Sequence, residues 1–155
     1  MAEVHGTFHQ SRPVISVEIA IAADRFGPLF VLADTGAAHI LIVLPRERVS
    51  VDFVSRYMTW PEDSFFGVGS LQVRRVPAGV LRLRDSGGQL LELAIEPMHV
   101  LLYDLDESGF ISRSIPPSLI GFQHAAFGLS QLLVDNASQR VVLTYLEPFT
   151  PTRLA

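Results

Sequence analysis

The chain has 155 residues, 48% of them hydrophobic and 18% charged, with a formal net charge of −4, a balance that predicts one compact domain and excludes a disordered chain. It contains no cysteine, which excludes disulfides, thiolate nucleophiles and cysteine-based zinc sites. Its twelve basic residues are all arginine, and only Arg74 and Arg75 are adjacent, so Schiff-base and P-loop lysines are excluded and no nucleic-acid partner is expected.

The N-terminus, Met1-Ala2-Glu3-Val4-His5, has no basic region followed by an apolar run, so no secretory signal is expected. No apolar run approaches the roughly 20 residues of a membrane-spanning helix, so no membrane partner is expected and the expected location is the cytoplasm. Val14 to Ala22 places Ile15, Val17, Ile19 and Ile21 on one row and Ser16 and Glu18 on the other, which predicts a strand with one buried face. Phe26-Gly27-Pro28 reads as a turn. Leu29–Ala33 and Ile40–Leu44 read as short buried strands. Pro45 opens the best helix candidate, with Val49, Phe53 and Tyr57 forming one apolar stripe as far as about Met58, and Trp60-Pro61 ending it.

From Ser64 the period returns to two, predicting strand over Ser64–Val76, then over Gly79–Arg84 beyond Pro77. Ser86-Gly87-Gly88 reads as a hairpin turn, with Leu90–Ile95 returning. His99–Leu102 is a further short strand, Asp104–Pro117 a loop, and Leu119-Ile120-Gly121 a short apolar strand end. Phe122–Phe127 suits one or two helical turns. Leu129–Val134 and Arg140–Leu146 flank a second hairpin at Asp135-Asn136-Ala137-Ser138. Many short strands with one or two short helices predict a mainly β domain, closed or strongly curled into a barrel, spanning residues 1–155 with its core at about 13–146.

The chemistry-bearing candidate is Asp34, placed directly after an apolar strand. Burying an unpaired carboxylate is costly, so an aspartate here points to a hydrogen-bonded, functional group or to a backbone cap. Thr35 can tie down neighbouring backbone, and Gly36 permits close backbone approach. The five histidines show no ligand spacing, and no metal or other cofactor is expected. No Gly-x-Ser-x-Gly motif is present.

Phe30-Val31-Leu32-Ala33-Asp34-Thr35-Gly36-Ala37 resembles the active-site strand and loop of retropepsin-like aspartic proteases. Upstream, Pro13-Val14-Ile15-Ser16-Val17-Glu18-Ile19 is similar to the family's leading hairpin. Downstream, Ser118-Leu119-Ile120-Gly121 is similar to its second signature, an apolar pair and glycine expected to cross under the active-site loop. The similarity covers about Pro13 to Leu146 and suggests a single-lobe cellular or bacterial member.

The resemblance implies a β-barrel aspartic endopeptidase that cleaves peptide or protein substrates. Asp34 would be catalytic, Thr35 would brace the two active-site loops across subunits, Gly36 would present backbone to substrate, and Ala37 would line the cleft. Of eight aspartates only Asp34 precedes Thr-Gly, so a carboxylate pair requires a homodimer. Phe66-Gly67-Val68-Gly69, within Phe65–Ser70, is the candidate flap, with Gly87-Gly88 as its rival. Two positions depart from the viral pattern: Ala38 and Phe122 stand where an aspartate and an arginine pair. Apolar packing can replace such a pair without loss of stability. The alternative function is a catalytically silent retropepsin-like binding or dimerisation module.

Overall fold

Period-two alternation makes strands of most of this chain. The computed structural model describes residues 2–34, 40–65, 71–95, 98–104, 118–121 and 129–145. In chain order the elements are β1 (Ala2–His9), β2 (Arg12–Ile21), β3 (Asp24–Asp34), β4 (Ile40–Pro45), α1 (Val51–Tyr57), β5 (Glu62–Phe65), β6 (Leu71–Val76), β7 (Gly79–Arg84), β8 (Leu90–Ile95), β9 (Met98–Tyr103), β10 (Leu119–Gly121), β11 (Leu129–Asp135) and β12 (Arg140–Tyr145). They form one 12-stranded sheet in the order β11-β12-β1-β2-β3-β10-β4-β9-β6-β5, with β7 added on β2 and β8 on β7.

The domain is mainly β, as expected. Ile15, Val17, Ile19 and Ile21 of β2 are buried while Ser16 and Glu18 are exposed, the predicted two-faced strand. They meet Val4 of β1, Val31 and Ala33 of β3, Leu81 and Leu83 of β7, Leu91, Leu93 and Ile95 of β8, and Leu143 and Tyr145 of β12 in one core. The sheet thus wraps around a shared interior, but it is not closed: among the described residues β11 and β5, the ends of the order, do not pair. The expected closed barrel is corrected to an open sheet.

Three local expectations also change. The β2–β3 hairpin turns at Ala22-Ala23, with Ile21 paired to Asp24, and not at Phe26-Gly27-Pro28. Gly27 and Pro28 lie inside β3, where the register shifts between the pairs Val17↔Leu29 and Ile19↔Phe26. A proline without an N–H and a glycine at φ +133° fit a bulge as well as a turn. The helix starts later than Pro45. That proline closes β4 in register with Tyr103, Arg46–Arg48 makes one tight turn, and Ser50 caps α1 by accepting from Phe53 N–H at 3.0 Å. Phe53 and Tyr57 are its buried stripe, with Phe53 edge-on to Phe26 at 5.0 Å and to Trp60 at 5.6 Å. Burying a phenylalanine contributes about 2–3 kcal/mol, and the Arg56–Asp24 ion pair ties the same helix to the β2–β3 hairpin. Finally, Ser64–Val76 is two strands: β5 pairs antiparallel with β6 from Glu62↔Arg74 to Phe65↔Leu71, and residues 66–70 connect them.

β7–β8 and β11–β12 pair as the predicted hairpins. In the second turn the Asp135 carboxylate accepts from Ala137 N–H at 3.0 Å and Ser138 N–H at 3.3 Å. Bonds from the Ser138 side chain, then from the Ser138 backbone, lead in holding its pKa below the ordinary aspartate value. β1, which the sequence pattern does not single out, lies between β12 and β2. Its Gly6 sits so close to β2 that an added Cβ would stand 2.3 Å from the Val14 carbonyl oxygen and 3.2 Å from Val141 Cβ.

Two predictions follow from these contacts. Gly6→Ala forces backbone apart and lowers stability by about 1–3 kcal/mol in urea unfolding. Asp135 has a lowered folded-state pKa, so the stability it adds is present at neutral pH and fades as pH falls below about 3.9 toward that folded value. The denaturation midpoints of wild type and Asp135→Ala therefore differ at pH 7 and draw together as the pH falls through the lowered folded-state pKa.

Candidate active site

β3 ends on the candidate residue, Asp34, between β2 and β10 in the interior of the sheet. Val31 and Ala33 pack into the main core, whereas Leu32 packs on the other face with Leu41, Val73 and Leu119. Strand alternation and burial on both faces hold the β3 backbone up to Asp34, its last residue.

β10 supplies the neighbouring backbone. It pairs parallel with β3 through Leu119↔Leu32, Ile120↔Ala33 and Gly121↔Asp34, and antiparallel with β4 through Leu119↔Leu41 and Ile120↔Ile40. The two strands flanking the Asp-Thr-Gly segment are therefore separated by a third. The chain between Asp34 and Ile40 spans two strand spacings, about 10 Å. Leu119, Ile120 and Gly121 are all buried, and Gly121 sets no side chain beside the Asp34 backbone. Ser118 fastens the start of β10 on both sides: Leu32 N–H donates to the Ser118 carbonyl at 2.8 Å, and Val43 N–H donates to Ser118 Oγ at 2.9 Å.

The structure thus brings Asp34 together with Leu119, Ile120 and Gly121 at the level of backbone register. Thr35, Gly36, Ala37, Ala38, His39 and Phe122 lie outside the described residues, as do Phe66, Gly67, Val68 and Gly69 of the candidate flap. The strands leading to and from residues 66–70 are β5 and β6, an antiparallel pair. The rival Gly87-Gly88 occupies the exposed β7–β8 turn, where Gly88 takes φ +84° with open space about it.

Sequence reading missed the pieces that anchor this region. His99 of β9, in register with Leu41 and Arg75, is 3% exposed, and its Nε2 lies 3.1 Å from Asp63 Oδ2 of β5. Arg74 of β6 bonds to the Trp60 carbonyl at 2.9 Å, pairs with Glu62 at 3.1 Å and lies over the Tyr57 ring. Together they fasten the base of the β5–β6 hairpin to β9 and α1. A histidine bracketed by apolar residues, Met98-His99-Val100, was the one available signal. Among the described residues no three histidine or carboxylate side chains gather as a metal site, and no helix is long and apolar enough to cross a membrane.

No family model matches the chain, and no curated protein matches its sequence.

Ser118→Ala leaves the Val43 N–H without its side-chain acceptor in a partly buried position. It should cost about 1–3 kcal/mol in urea unfolding, whereas Ser118→Thr, which retains the hydroxyl, should lose less.

Proposed function

We propose that this chain is an aspartic endopeptidase of the retropepsin type, active in the cytoplasm as a homodimer, with Asp34 from each subunit forming the catalytic pair. What supports this most is the insertion of β10 between β3 and β4, with Gly121 in register with Asp34. Two sequence marks that are far apart in the chain, Asp34 at the head of the first and Leu119-Ile120-Gly121 as the second, meet at one place in the sheet.

The chemistry follows from two carboxyl groups around one water. Two close carboxylates resist ionising together, so they share a proton and titrate as a coupled pair. One ionised carboxylate accepts a proton from the water as its oxygen bonds to the peptide carbonyl carbon. The other, protonated, donates to the carbonyl oxygen. Collapse of the resulting gem-diol breaks the C–N bond, and the amine leaves with a proton. Thr35 braces the paired loops, and Gly36 offers backbone to the substrate. The hairpin that carries Gly67 and Gly69 covers the cleft as its flap.

The purified homodimer should therefore cut apolar peptides best under acidic conditions, with inhibition by pepstatin. Asp34→Asn should lower kcat by at least about a thousandfold with little change in the unfolding midpoint. A stable homodimer that cuts no peptide in a broad library between acidic and neutral pH would sink the peptidase and leave the silent dimerisation module in its place.

A further inference from the structure

The β1–β2 hairpin ends beside Asp34. β2 and β3 pair up to Val14↔Leu32, and each strand runs two residues further, to Arg12 and to Asp34. On its other side Arg12 pairs with His9. Continuing the Val14↔Leu32 register by two residues puts Arg12 level with Asp34, with His9 next to Arg12 and Gly121 next to Asp34 on the neighbouring strands.

The turn between them holds His9 and Arg12 side by side. Gln10 and Ser11, neither of them glycine, both take positive φ, 50° and 63°, as the central residues of a two-residue hairpin turn. In β2, Ile15, Val17 and Ile19 point into the main core, while Arg12 belongs to the opposite row with Val14, Ser16 and Glu18. That face also carries Leu32 and Leu119. Arg12 is exposed, and among the described residues no hydrogen bond or ion pair engages its guanidinium. His9 stacks on the 64%-exposed Phe30 ring at 6.2 Å and 8°, which fixes the imidazole over the same surface.

An arginine always carries its charge, and its planar fork matches a carboxylate better than an ammonium would. A free guanidinium at the rim of an acid-catalysed cleft discriminates substrates by charge. Building on the peptidase reading above, we propose that Arg12, with His9 beside it, selects peptides carrying a glutamate or aspartate near the bond presented to Asp34. Phe30 provides apolar support for the same stretch of substrate.

The test uses the full-length homodimer and matched peptides that differ only by Glu against Gln at each of the positions flanking the cleaved bond. At pH 6, where glutamate is ionised, wild type should favour the Glu peptide at one such position by about fivefold in kcat/KM, the scale of one partly exposed ion pair. The ratio should fall to about one in Arg12→Gln, drop below one in Arg12→Glu, survive in Arg12→Lys, and shrink in 0.5 M salt. Labelled versions of the same peptides, titrated by fluorescence anisotropy against Asp34→Asn, give a readout that needs no turnover and should show the same preference. Cleavage by wild type with a Glu/Gln ratio near one at every position overturns the Arg12 assignment and leaves the peptidase standing. Absence of cleavage with acid-selective, Arg12-dependent binding sinks the peptidase and supports the Arg12 assignment. Equal binding of the two peptides to Asp34→Asn counts against Arg12 in either case.

Discussion

Leu119, Ile120 and Gly121 occupy the slot between β3 and β4, and backbone hydrogen bonds on both of their edges hold those strands apart. Strands this short have little stability of their own. Here the pairing on each side satisfies backbone groups that would otherwise be buried without partners. Ile120 reaches into the main core, while Leu119 packs on the other face with Leu41 and Val73. Ser118 adds a bond to each flanking strand. Removing β10 would leave β3 and β4 as two unsatisfied edges, and Asp34 would end a strand with no fixed neighbour.

The rest of the fold steadies that wedge. Phe53, Tyr57 and Trp60 pack edge to face beneath the sheet, and the Arg56–Asp24 pair binds α1 to the hairpin from which β3 departs. On the far side, His99–Asp63 and Arg74–Glu62 anchor the β5–β6 hairpin at its base. The strands around Asp34 are therefore braced from both sides.

Much of this was legible because strand alternation is a local signal. Ile15, Val17, Ile19 and Ile21 announce β2, and Gly87-Gly88 and Asp135–Ser138 announce the later hairpins. Two of the errors share one cause: proline and glycine punctuate a chain without saying how. Gly27-Pro28 made a bulge where a turn was expected, and Pro45 closed a strand where a helix was expected. β1 escaped notice because its inward row includes Gly6, whose lack of a side chain is a requirement of close packing and leaves no hydrophobic mark. The role of Ser118 and the His99–Asp63 contact join residues distant in the chain, and one sequence carries no sign of such pairings. For Asp34, pattern alone located the strand end, while the approach of Gly121 was expected only from the resemblance and not from the pattern.

The central claim is that the sheet presents Asp34 so that two copies of the chain can build one acid pair. A crystal structure of the purified protein, determined at mildly acidic pH, addresses it directly. The two Asp34 carboxylates should lie within hydrogen-bonding distance, about 3 Å, around a shared water on the molecular two-fold axis. A dimer that holds the two aspartates far apart, or a chain that crystallises and sediments as a monomer, would contradict it.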